Sequence, residues 1–532
     1  MAVLLPKSTR VDLARSIRRD IVNNSDYYHL ALAKTTAWAD EASPDTLADS
    51  VSDLNQFRRD IICVQRINSE DVCHLAARIN WVSGTVYDSY DDSYSTAMPS
   101  YSEATTLSNA NFYVITDEFK VYKCLDNNSN VASTSKPIAT GTSAFTLTDG
   151  YVWKFLFQIS AADQTKFLDT QYIPVRKLTG NPLYDVNGEI DSINVTAGGS
   201  GYTTASVNIA GDGDGTASAT ATISAGVITS IAINSAGSGY SFARATITGD
   251  GTGATATVTL GDTDIAPTLQ SNVEATAVKG TIDRIEILTS GSGYLGDDIV
   301  VVVTGDGSGA EATATVDAST GQLLTISVTN AGNGYSFADI TFTSISGAGT
   351  SATARAIVSP INGHGSHVVN ELFANTLAVV VSLSDNTNAD LFLNNDFRQV
   401  GLIKNVYPYG SSVAPYTGTT GTSCFIIDVA DGSKYNADDM ITTSSDGSFR
   451  VIQKTSVGST SQIYLQPLIG LISGSSILTN TTTGVGSLSI NSVIANTPEI
   501  DVKTGEIVYV ESRPAINRQD SQAETIKAIL TF

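Results

Sequence analysis

Charged residues, histidine, cysteine and long apolar runs are all scarce in this chain of 532 residues, and each shortage excludes a class of protein. Lysine and arginine together number 30 against 53 aspartate and glutamate residues, and the resulting net charge of −23 disfavours binding to nucleic acid or to an anionic membrane. No run approaches the ~20 apolar residues that a membrane-spanning helix needs. The opening MAVLLPKSTRVDL lacks a long apolar core followed by small residues, so we expect no secretory signal and folding in a cytoplasm. The acidity suits a crowded protein assembly and a salty habitat equally well.

The few cysteines and histidines form no strong metal or redox motif. They are Cys63, Cys73, Cys124 and Cys424, and His29, His74, His364 and His367. No two cysteines have Cys-x-x-Cys spacing, so we expect free thiols, with Cys63 buried in the apolar run IICV. His364 and His367 form HGSH, but no further Cys, His or carboxylate ligand lies close by in that loop, so a shared metal is the less favoured interpretation.

Motifs of the common hydrolases are missing as well. The chain has no G-x-S-x-G and no H-E-x-x-H. The pairs Asp91-Asp92 and Asp438-Asp439 are adjacent carboxylates that a glycosidase could use, but such neighbours in a polar loop usually face water. We therefore expect a protein without enzymatic activity and without a cofactor.

Glycine, threonine, serine, alanine and valine dominate the middle of the chain, which favours many short strands joined by tight turns. The fold class we predict is mainly β with some α: an α+β domain that carries a four-unit β-repeat insertion and a second, small β barrel or sandwich. We predict strands in DIICVQRI (60–67), FYVITDEFKVYKCL (112–125), GYVWKFLFQI (150–159), NELFANTLAVVVSL (370–383) and FRQVGLIKNV (397–406), and in the later segments SCFIIDVA, FRVIQKT, QIYLQPL and SLSINSVI.

The first predicted element is a helix from about Val11 to Val22, with Thr9 and Asp12 as a capping box. Its arginines, Arg15, Arg18 and Arg19, either lie on a solvated face or contact an acidic partner, and the solvated face is the favoured interpretation.

Four aromatic residues alternate along the third predicted strand. They are Tyr151, Trp153, Phe155 and Phe157, which a strand places on one face. Such a face serves either as a carbohydrate platform or, more often, as core packing.

An internal repeat runs from 190 to 358. Its four Gly-x-Gly-Tyr turns end at Tyr202, Tyr240, Tyr294 and Tyr335, spaced by 38, 54 and 41 residues. The longer interval contains Gly261–Thr281, which we interpret as a linker between two pairs of units, 190–263 and 282–358. We expect each tyrosine ring to lie across the neighbouring glycines as a packing anchor.

The glycine-rich turns resemble two kinds of ligand loop, and neither is favoured. Strand sequence, not a helix, follows each turn, and none closes with Gly-Lys-Ser/Thr, so we do not expect nucleotide binding. Calcium is the remaining alternative, with Asp212, Asp214, Asp250 and Asp306 as candidate ligands. Each unit mostly offers one carboxylate and the fourth has SISGAG in that place, so we favour Gly-Asp-Gly as a tight turn and predict no metal.

A more specific signal lies outside the repeats. The closing segment GEIVYVESRPAINRQDSQAETIKAILTF resembles the C-terminus of the baseplate wedge subunit of T-even-type contractile-tailed bacteriophages (the gene-product-eight type). FRQV (397–400), VYKCL (121–125) and DGYVWKFLFQI (149–159) resemble further strands of that family. The matching residues are Cys124, Asp149, Gly150, Tyr151, Trp153, Phe397, Arg398, Gln399, Gly505, Glu506, Glu511, Arg513, Pro514 and Phe532.

The resemblance implies a domain organisation. Segments 1–189, 360–412 and 497–532 form the host domain, which carries 190–358 (the repeats) and 413–496 (a small β domain) as insertions. We expect the closing segment to be two strands around a loop carrying Arg513 and Pro514.

The resemblance also implies a structural role in the virion. Members of the family are non-enzymatic, pair as homodimers and contact other wedge proteins in a baseplate that rearranges on contraction. We therefore expect a homodimer in the tail baseplate, synthesised in the cytoplasm of the host cell, with no nucleic acid partner and no membrane insertion. Two alternatives stay open: a tail-fibre or adhesin-like protein whose repeats bind surface glycans in transient host contact, and a polysaccharide-degrading tail enzyme.

Overall fold

Short antiparallel strands dominate the structure and confirm the predicted class, mainly β with some α. The structure is a computed structural model. It describes residues 5–23, 25–178, 189–211, 215–237, 240, 243–261, 265–296, 299–344, 346–383, 391, 395–429, 431–444, 447–457, 460–470, 472, 477–484, 488–489, 497–518 and 524–532.

The described helices are short. They are α1 (Lys7–Val22), α2 (Val51–Asp60), α3 (Ala161–Lys166), α4 (Ile265–Ala275) and α5 (Val368–Glu371). The first begins at Lys7, so Thr9 lies inside it and the predicted capping box with Asp12 is wrong. None of the helices in the described part of the chain has the length and apolar character that a bilayer crossing requires.

The strands fall into three groups along the chain. Before the repeats lie β1 (Tyr28–Ala33), β2 (Ile61–Arg66), β3 (Val72–Ala77), β4 (Tyr113–Ile115), β5 (Lys120–Asp126), β6 (Phe145–Thr146), β7 (Val152–Gln158) and β8 (Tyr172–Val175). In the repeats lie β9 (Glu189–Ser200), β10 (Ala205–Gly211), β11 (Ser218–Ser224), β12 (Val227–Ser235), β13 (Ala243–Gly249), β14 (Thr252–Gly261), β15 (Ile282–Ser292), β16 (Ile299–Gly305), β17 (Ser308–Val316), β18 (Leu323–Asn333), β19 (Ala338–Ser344) and β20 (Thr350–Val358). After them lie β21 (Thr376–Leu383), β22 (Asp396–Lys404), β23 (Tyr407–Pro408), β24 (Thr420–Thr422), β25 (Phe425–Val429), β26 (Met440–Thr443), β27 (Ser448–Val457), β28 (Thr460–Ile469), β29 (Ile477–Asn480), β30 (Leu488–Ser489), β31 (Ile500–Asp501), β32 (Glu506–Asn517) and β33 (Glu524–Thr531).

The chain divides into two units, each assembled from separate segments. Unit 1 consists of Met1–Ser16, Cys73–Leu377 and Thr531–Phe532, and unit 2 consists of Ile17–Val72 and Ala378–Leu530.

Unit 1 contains a four-stranded sheet of order β4-β5-β7-β6 with a core on each face. One core contains Tyr122, Trp153 and Phe155, and helix α4 covers it through Val273. The other contains Leu156 and Phe157, because a bulge in β7 opposite Val121 and Tyr122 breaks the strict alternation of the strand. The prediction that Phe157 shares a face with Trp153 and Phe155 is therefore wrong.

The repeats form two rings of six strands, ring 1 from β9–β14 and ring 2 from β15–β20. Within each ring the two repeat units exchange partners: β9 pairs with β14, β10 with β13 and β11 with β12, and β15, β16 and β17 pair in the same way with β20, β19 and β18. Contacts of β12 with β9, and of β18 with β15, bring the six strands of each ring around a small apolar core. A single unit therefore has no complete set of strand partners of its own.

Unit 2 contains a five-stranded sheet of order β24-β2-β1-β22-β32 and a six-stranded sheet of order β25-β28-β27-β26-β29-β30. The second sheet has its own core, which includes Ile427, Phe449 and Leu465. A small sheet of β23 and β31 joins the segments that flank it.

Three predictions about elements are wrong in detail. The linker Gly261–Thr281 contains helix α4. The apolar run 112–125 is a hairpin of two strands, β4 and β5, with Phe119 at φ 58° in its turn. Arg513 and Pro514 lie inside the continuous strand β32 and not in a loop.

Candidate functional site

Tyr151 and the aromatic residues of β7 are core residues and not a carbohydrate platform. Tyr151, Trp153 and Phe155 are fully buried, and Phe157 is 2% exposed. Tyr151 stacks on Trp153 with ring centroids 5.5 Å apart. A sugar has no access to these faces, so this alternative from the sequence is settled in favour of packing.

The family-matching residues of this sheet fix its geometry. Cys124 lies directly opposite Trp153 in the β5–β7 pairing. Asp149 accepts hydrogen bonds from the backbone N–H groups of Thr134 and Ser135 at 2.8 and 2.9 Å, and so ties the segment before β6 to the turn before β7. Burial acts to raise the pKa of Asp149, but these backbone hydrogen bonds outweigh it and hold the pKa below its ordinary value. Gly150 occupies this turn at φ 82°, a conformation that favours glycine.

The matching residues of unit 2 lie on two paired strands. Gln399 in β22 is opposite Ser512 in β32, while Phe397 is opposite Ile516, so β32 bulges outward between them. Arg513 and Pro514 lie in this bulge, and β32 is the edge strand of its sheet, so the missing N–H of proline costs no ladder hydrogen bond.

Arginine side chains brace this bulge. Arg398 donates to Glu41 Oε1 at 2.7 Å and to Asp396 Oδ2 at 2.9 Å. Arg513 pairs with Glu511 and donates to the Lys527 carbonyl at 2.9 Å. The charged residues of the motif therefore hold loops and strands together within unit 2.

The remaining matching residues lie at strand ends. Gly505 (φ 74°) lies at the turn before β32, and Glu506 is exposed opposite Lys404. Phe532 is bonded through its backbone to Asn375 in unit 1, whose side-chain amide donates to the Phe532 carbonyl at 2.7 Å.

The repeat tyrosines contact both repeat units of each ring. A Cβ on Gly251 would lie 2.4 Å from Cγ of Tyr202, and one on Gly307 would lie 2.4 Å from Cγ of Tyr335. In both cases the glycine belongs to the other unit of the ring. The predicted contact with neighbouring glycines also exists, at Gly199 and Gly332, but the closer one crosses between units.

The aspartates of the Gly-Asp-Gly turns cap backbone N–H groups of the opposite unit. Asp306 accepts from the N–H groups of Ser336 and Phe337 at 2.8 and 3.3 Å and from the Ser336 hydroxyl at 2.6 Å. Asp250 accepts in the same way from Thr203 and Thr204.

These hydrogen bonds, led by those from the Ser336 and Thr203 hydroxyls, lower the pKa of Asp306 to about 2 and hold that of Asp250 well below its ordinary value. Asp212 and Asp214 lie outside the described residues. In the described part of the chain no three His, Cys, Asp or Glu side chains gather as a metal-binding group.

The fourth repeat unit lacks the aspartate, and the third repeat unit, which pairs with it, lacks the hydroxyl residue that the aspartate would accept from. Thr203 and Ser336 follow the tyrosine where an aspartate faces it, whereas Leu295 follows Tyr294, opposite the fourth unit. The hydroxyl and the carboxylate are thus present together or absent together in these three turns. The sequence contains this correlation, but it can be recognised only when it is known which repeat units pair.

The histidines of HGSH serve different partners. His364 Nε2 lies 2.6 Å from Asp283 Oδ2 and its Nδ1 lies 3.1 Å from Lys123 Nζ. Because the lysine ammonium can only donate, Nδ1 accepts and Nε2–H donates to Asp283. His367 instead accepts from the Asn370 N–H at the start of α5, and burial lowers its pKa to about 4.

His364 belongs to a buried chain of charged groups that we call the junction. It runs from Asp283 through His364 and Lys123 to Glu371, and the Lys123 side chain has no exposed surface. Glu371 also accepts from the backbone N–H groups at 365 and 367, at 3.0 and 3.1 Å. Burial opposes the ionisation of Glu371, but Lys123 and these donors hold its pKa below its ordinary value.

Two arginines of ring 2 extend the junction to the loop before β4. Arg284 donates to the backbone carbonyls of Tyr90 and Leu125 at 2.8 and 2.6 Å. Arg355 pairs with Asp91, and the two hydrogen-bond partners of Asp91, Arg355 and Ser93, overcome its burial and lower its pKa. The junction therefore fastens ring 2 to the host sheet of unit 1 by ion pairs and hydrogen bonds.

Ring 1 has no counterpart of the two arginines: Ser192 and Thr257 occupy the positions of Arg284 and Arg355 in the aligned repeats. In ring 2 Glu286 lies opposite Arg355, whereas the equivalent cross-strand pair of ring 1 is Asn194 opposite Thr257. Sequence reasoning missed the junction, and the signal that could have found it is this charge difference between aligned repeats.

An open groove of about 540 Å³ lies on ring 1 between β9 and β12. Its lining includes Ser192, Asn194, Thr229 and Ser230.

Two further expectations of solvent exposure are wrong. Asp91 and Asp439 are buried members of their acidic pairs, and Asp439 accepts from Asn480 Nδ2 at 2.7 Å. Arg18 is 4% exposed and not on a solvated helix face. The four cysteines are buried free thiols; burial was predicted for Cys63 and is found for the other three as well.

Neither a protein-family model nor a curated protein of known function matches the chain.

Proposed function

We propose that this protein is a structural component of the phage tail baseplate wedge, without enzymatic activity, that forms homodimers and links neighbouring wedge subunits during assembly and contraction. The proposal rests on the resemblance of the segments 121–125, 149–159, 397–400 and 505–532 to that family.

One observation supports it above the others: the family-matching segments pair with each other as strands. Cys124 lies opposite Trp153, and the Phe397–Gln399 segment lies against the Glu511–Pro514 segment. The second pairing joins residues more than 100 positions apart in the sequence into one sheet, as expected of a common framework. Aromatic rings and ion pairs there are engaged in packing, which suits a structural role.

Labelling of intact particles tests this proposal. Antibodies raised against the purified protein are expected to decorate the tail end of virions in electron micrographs, and sedimentation of the protein is expected to give a dimer. Protein that is absent from purified particles contradicts the assignment. Antibodies pre-absorbed with the purified protein are the control.

The groove of ring 1 favours a second candidate, a tail-fibre or adhesin-like protein that binds surface glycans. Its hydroxyl and amide side chains at Ser192, Asn194 and Thr229 offer hydrogen-bond partners to sugar hydroxyls. A glycan array distinguishes the two candidates: selective binding that is lost on deletion of 190–358 supports the adhesin.

A further inference from the structure

Unit 2 has an open groove whose charge is opposite to that of the chain as a whole. The groove encloses about 820 Å³ between α2, the end of β28 and the segment around β31. Arg59 and Lys503 are exposed on its lining, and its acid Asp501 accepts the Lys503 N–H at 3.0 Å. In a chain of net charge −23, such a basic concavity favours an acidic occupant.

The lining of the groove also contains apolar surface. Tyr409 packs edge-on against Phe425 with centroids 5.8 Å apart, and Ile469 is 67% exposed at the end of β28. A pocket of this volume that combines apolar side chains with a few polar groups is typical of a recognition site.

The chain itself supplies a complementary segment. Between β1 and α2 lie 17 residues, 34–50, without helix or strand, a length that is uncommon unless a loop has a function. The acidic segment, DEASPDTLADSVSD (40–53), carries five acids and no lysine or arginine. Asp45 and Asp49 are exposed, and Val51 at the start of α2 is 77% exposed.

The acids of this segment differ in availability. Glu41 is engaged by Arg398 and Asp53 accepts from the Ala48 N–H, so these two hold the segment in place. Asp45 and Asp49 project two negative charges beside an exposed apolar side chain. This combination matches the two basic groups and the apolar lining of the groove.

We propose that a second copy of this chain places its acidic segment in the groove of the first, and that the first does the same in return. The acidic segment leads directly into α2, which supplies Asn55 and Arg59 to the groove, so both halves of the contact are adjacent on one surface. Adjacent and complementary halves are what a two-fold, self-complementary interface requires. The inference rests on the homodimer of the proposed function and assigns its interface.

Charge exchange between copies tests the assignment. Arg59→Glu with Lys503→Glu, and separately Asp45→Lys with Asp49→Lys, are each expected to weaken dimerisation by about tenfold or more in low salt. An equimolar mixture of the two variants is expected to regain the wild-type association, because opposite charges meet across both contacts of the mixed dimer: the two reversed halves face each other in one contact and the two unchanged halves in the other. Arg244→Glu with Lys279→Glu, which reverses two exposed charges in unit 1, is the matched control and is expected to dimerise as the wild type does.

Sedimentation velocity at graded concentrations separates the outcomes. Wild-type protein that stays monomeric overturns both this inference and the homodimer of the proposed function. A dimer that is unaffected by either double variant, or a mixture that fails to regain association, overturns the groove assignment alone. Circular dichroism of each variant checks folding, and the regained association itself requires that both variants are folded.

Discussion

Where the tyrosine rings of the repeats lie, the facing glycines have room for a hydrogen atom and nothing larger. Gly307 shows this most simply, because its backbone φ does not require glycine and only the Tyr335 ring and backbone crowd the place of a Cβ. Glycine is therefore required at this position by the contact with Tyr335 and not by the geometry of the turn.

Gly307→Ala is expected to destabilise ring 2 by about 1–3 kcal/mol, because the added methyl group displaces the Tyr335 ring. Gly296→Ala is the control: a Cβ there meets nothing within 4 Å, so we expect a change within ~0.5 kcal/mol. Hydrogen exchange of backbone amides in 299–344, followed by mass spectrometry, measures both. Equal protection of the two variants would show that the tyrosine contact is not what excludes a side chain.

Asp306 makes the stability of ring 2 sensitive to acid. Its pKa is about 2 in the folded protein, below the ~3.9 of an unfolded aspartate, so the carboxylate stabilises the fold above pH 4. That contribution is lost as the pH falls through the folded pKa. Asp306→Asn is therefore expected to lower the protection of ring 2 at pH 7, with a difference from wild type that shrinks between pH 4 and pH 2.

Asp339→Asn, at an exposed acid in β19 of the same ring, is the control for that substitution. We expect it to leave protection unchanged at every pH. A difference for Asp306→Asn that persists at pH 2 would contradict the role assigned to its carboxylate.

At the junction, the loss of one charge is expected to cost more than the loss of two. Lys123→Met leaves Glu371 buried without its cation, at a cost of about 3–5 kcal/mol. Adding Glu371→Gln removes the stranded charge and keeps an oxygen for the neighbouring N–H groups, so part of the loss is expected to return. Urea unfolding of the wild type and the variants measures these differences, and a double variant less stable than Lys123→Met would contradict the pairing.

At the scale of elements, each ring is the smallest part of the repeats that satisfies its own strands. The first and last strands of ring 1 pair with each other, with Glu189 opposite Gly261. The chain therefore enters and leaves the ring at neighbouring points. Replacement of 189–261 by a linker of about four residues is expected to preserve the fold of the remainder, because neighbouring strand ends lie only ~5 Å apart.

Two further deletions sharpen this expectation. Deletion of 190–223 alone removes one unit and leaves its partner strands unpaired, so we expect aggregation. Deletion of ring 2 (282–358) removes Arg284 and Arg355, which pair with Asp91, and Asp283, which pairs with His364, so we expect a loss of stability in the host sheet. Size-exclusion chromatography and circular dichroism compare the three chains, and equal behaviour of both ring deletions would contradict the anchoring role of the junction.

The sequence predicted the elements better than their partners. Alternating residues such as SINVT and RIEIL marked the repeat strands, because one face of each packs on the ring core. Nothing in a short strand indicates that it pairs with the other unit, since the hydrogen-bonding groups of every backbone are alike. Helix α2 was missed in a polar stretch, where its main apolar contact to the core is Phe57.

At the scale of the whole molecule, the junction illustrates what local patterns cannot reveal. Its members come from positions 91, 123, 283, 284, 355, 364 and 371, so no motif of fixed spacing describes them. Only the fold brings these charges together, and burial then makes their pairing obligatory. The burial of the aromatic residues in and before β7 was predictable from their alternation, but the bulge that moves Phe157 into the second core was not.

The buried cysteines allow the unfolding of unit 1 and of unit 2 to be followed separately. Cys73 and Cys124 lie in unit 1, and Cys63 and Cys424 in unit 2, and burial raises the pKa of the Cys124 and Cys424 thiols. We expect the native protein to leave a thiol reagent unconsumed while the denatured chain reacts with four equivalents. Peptide mapping after labelling in graded denaturant is expected to show the thiols of one unit reacting together. Rapid labelling of any one of them in the native state would contradict their burial.

The exchange of strands between paired repeat units restricts how the number of repeats can change in evolution. Recombination between similar repeats commonly adds or removes one copy, but an odd copy here would have no partner for its outer strands. We therefore expect related genes to gain or lose these repeats two at a time, with the aspartate of one copy and the hydroxyl of its partner inherited as a set.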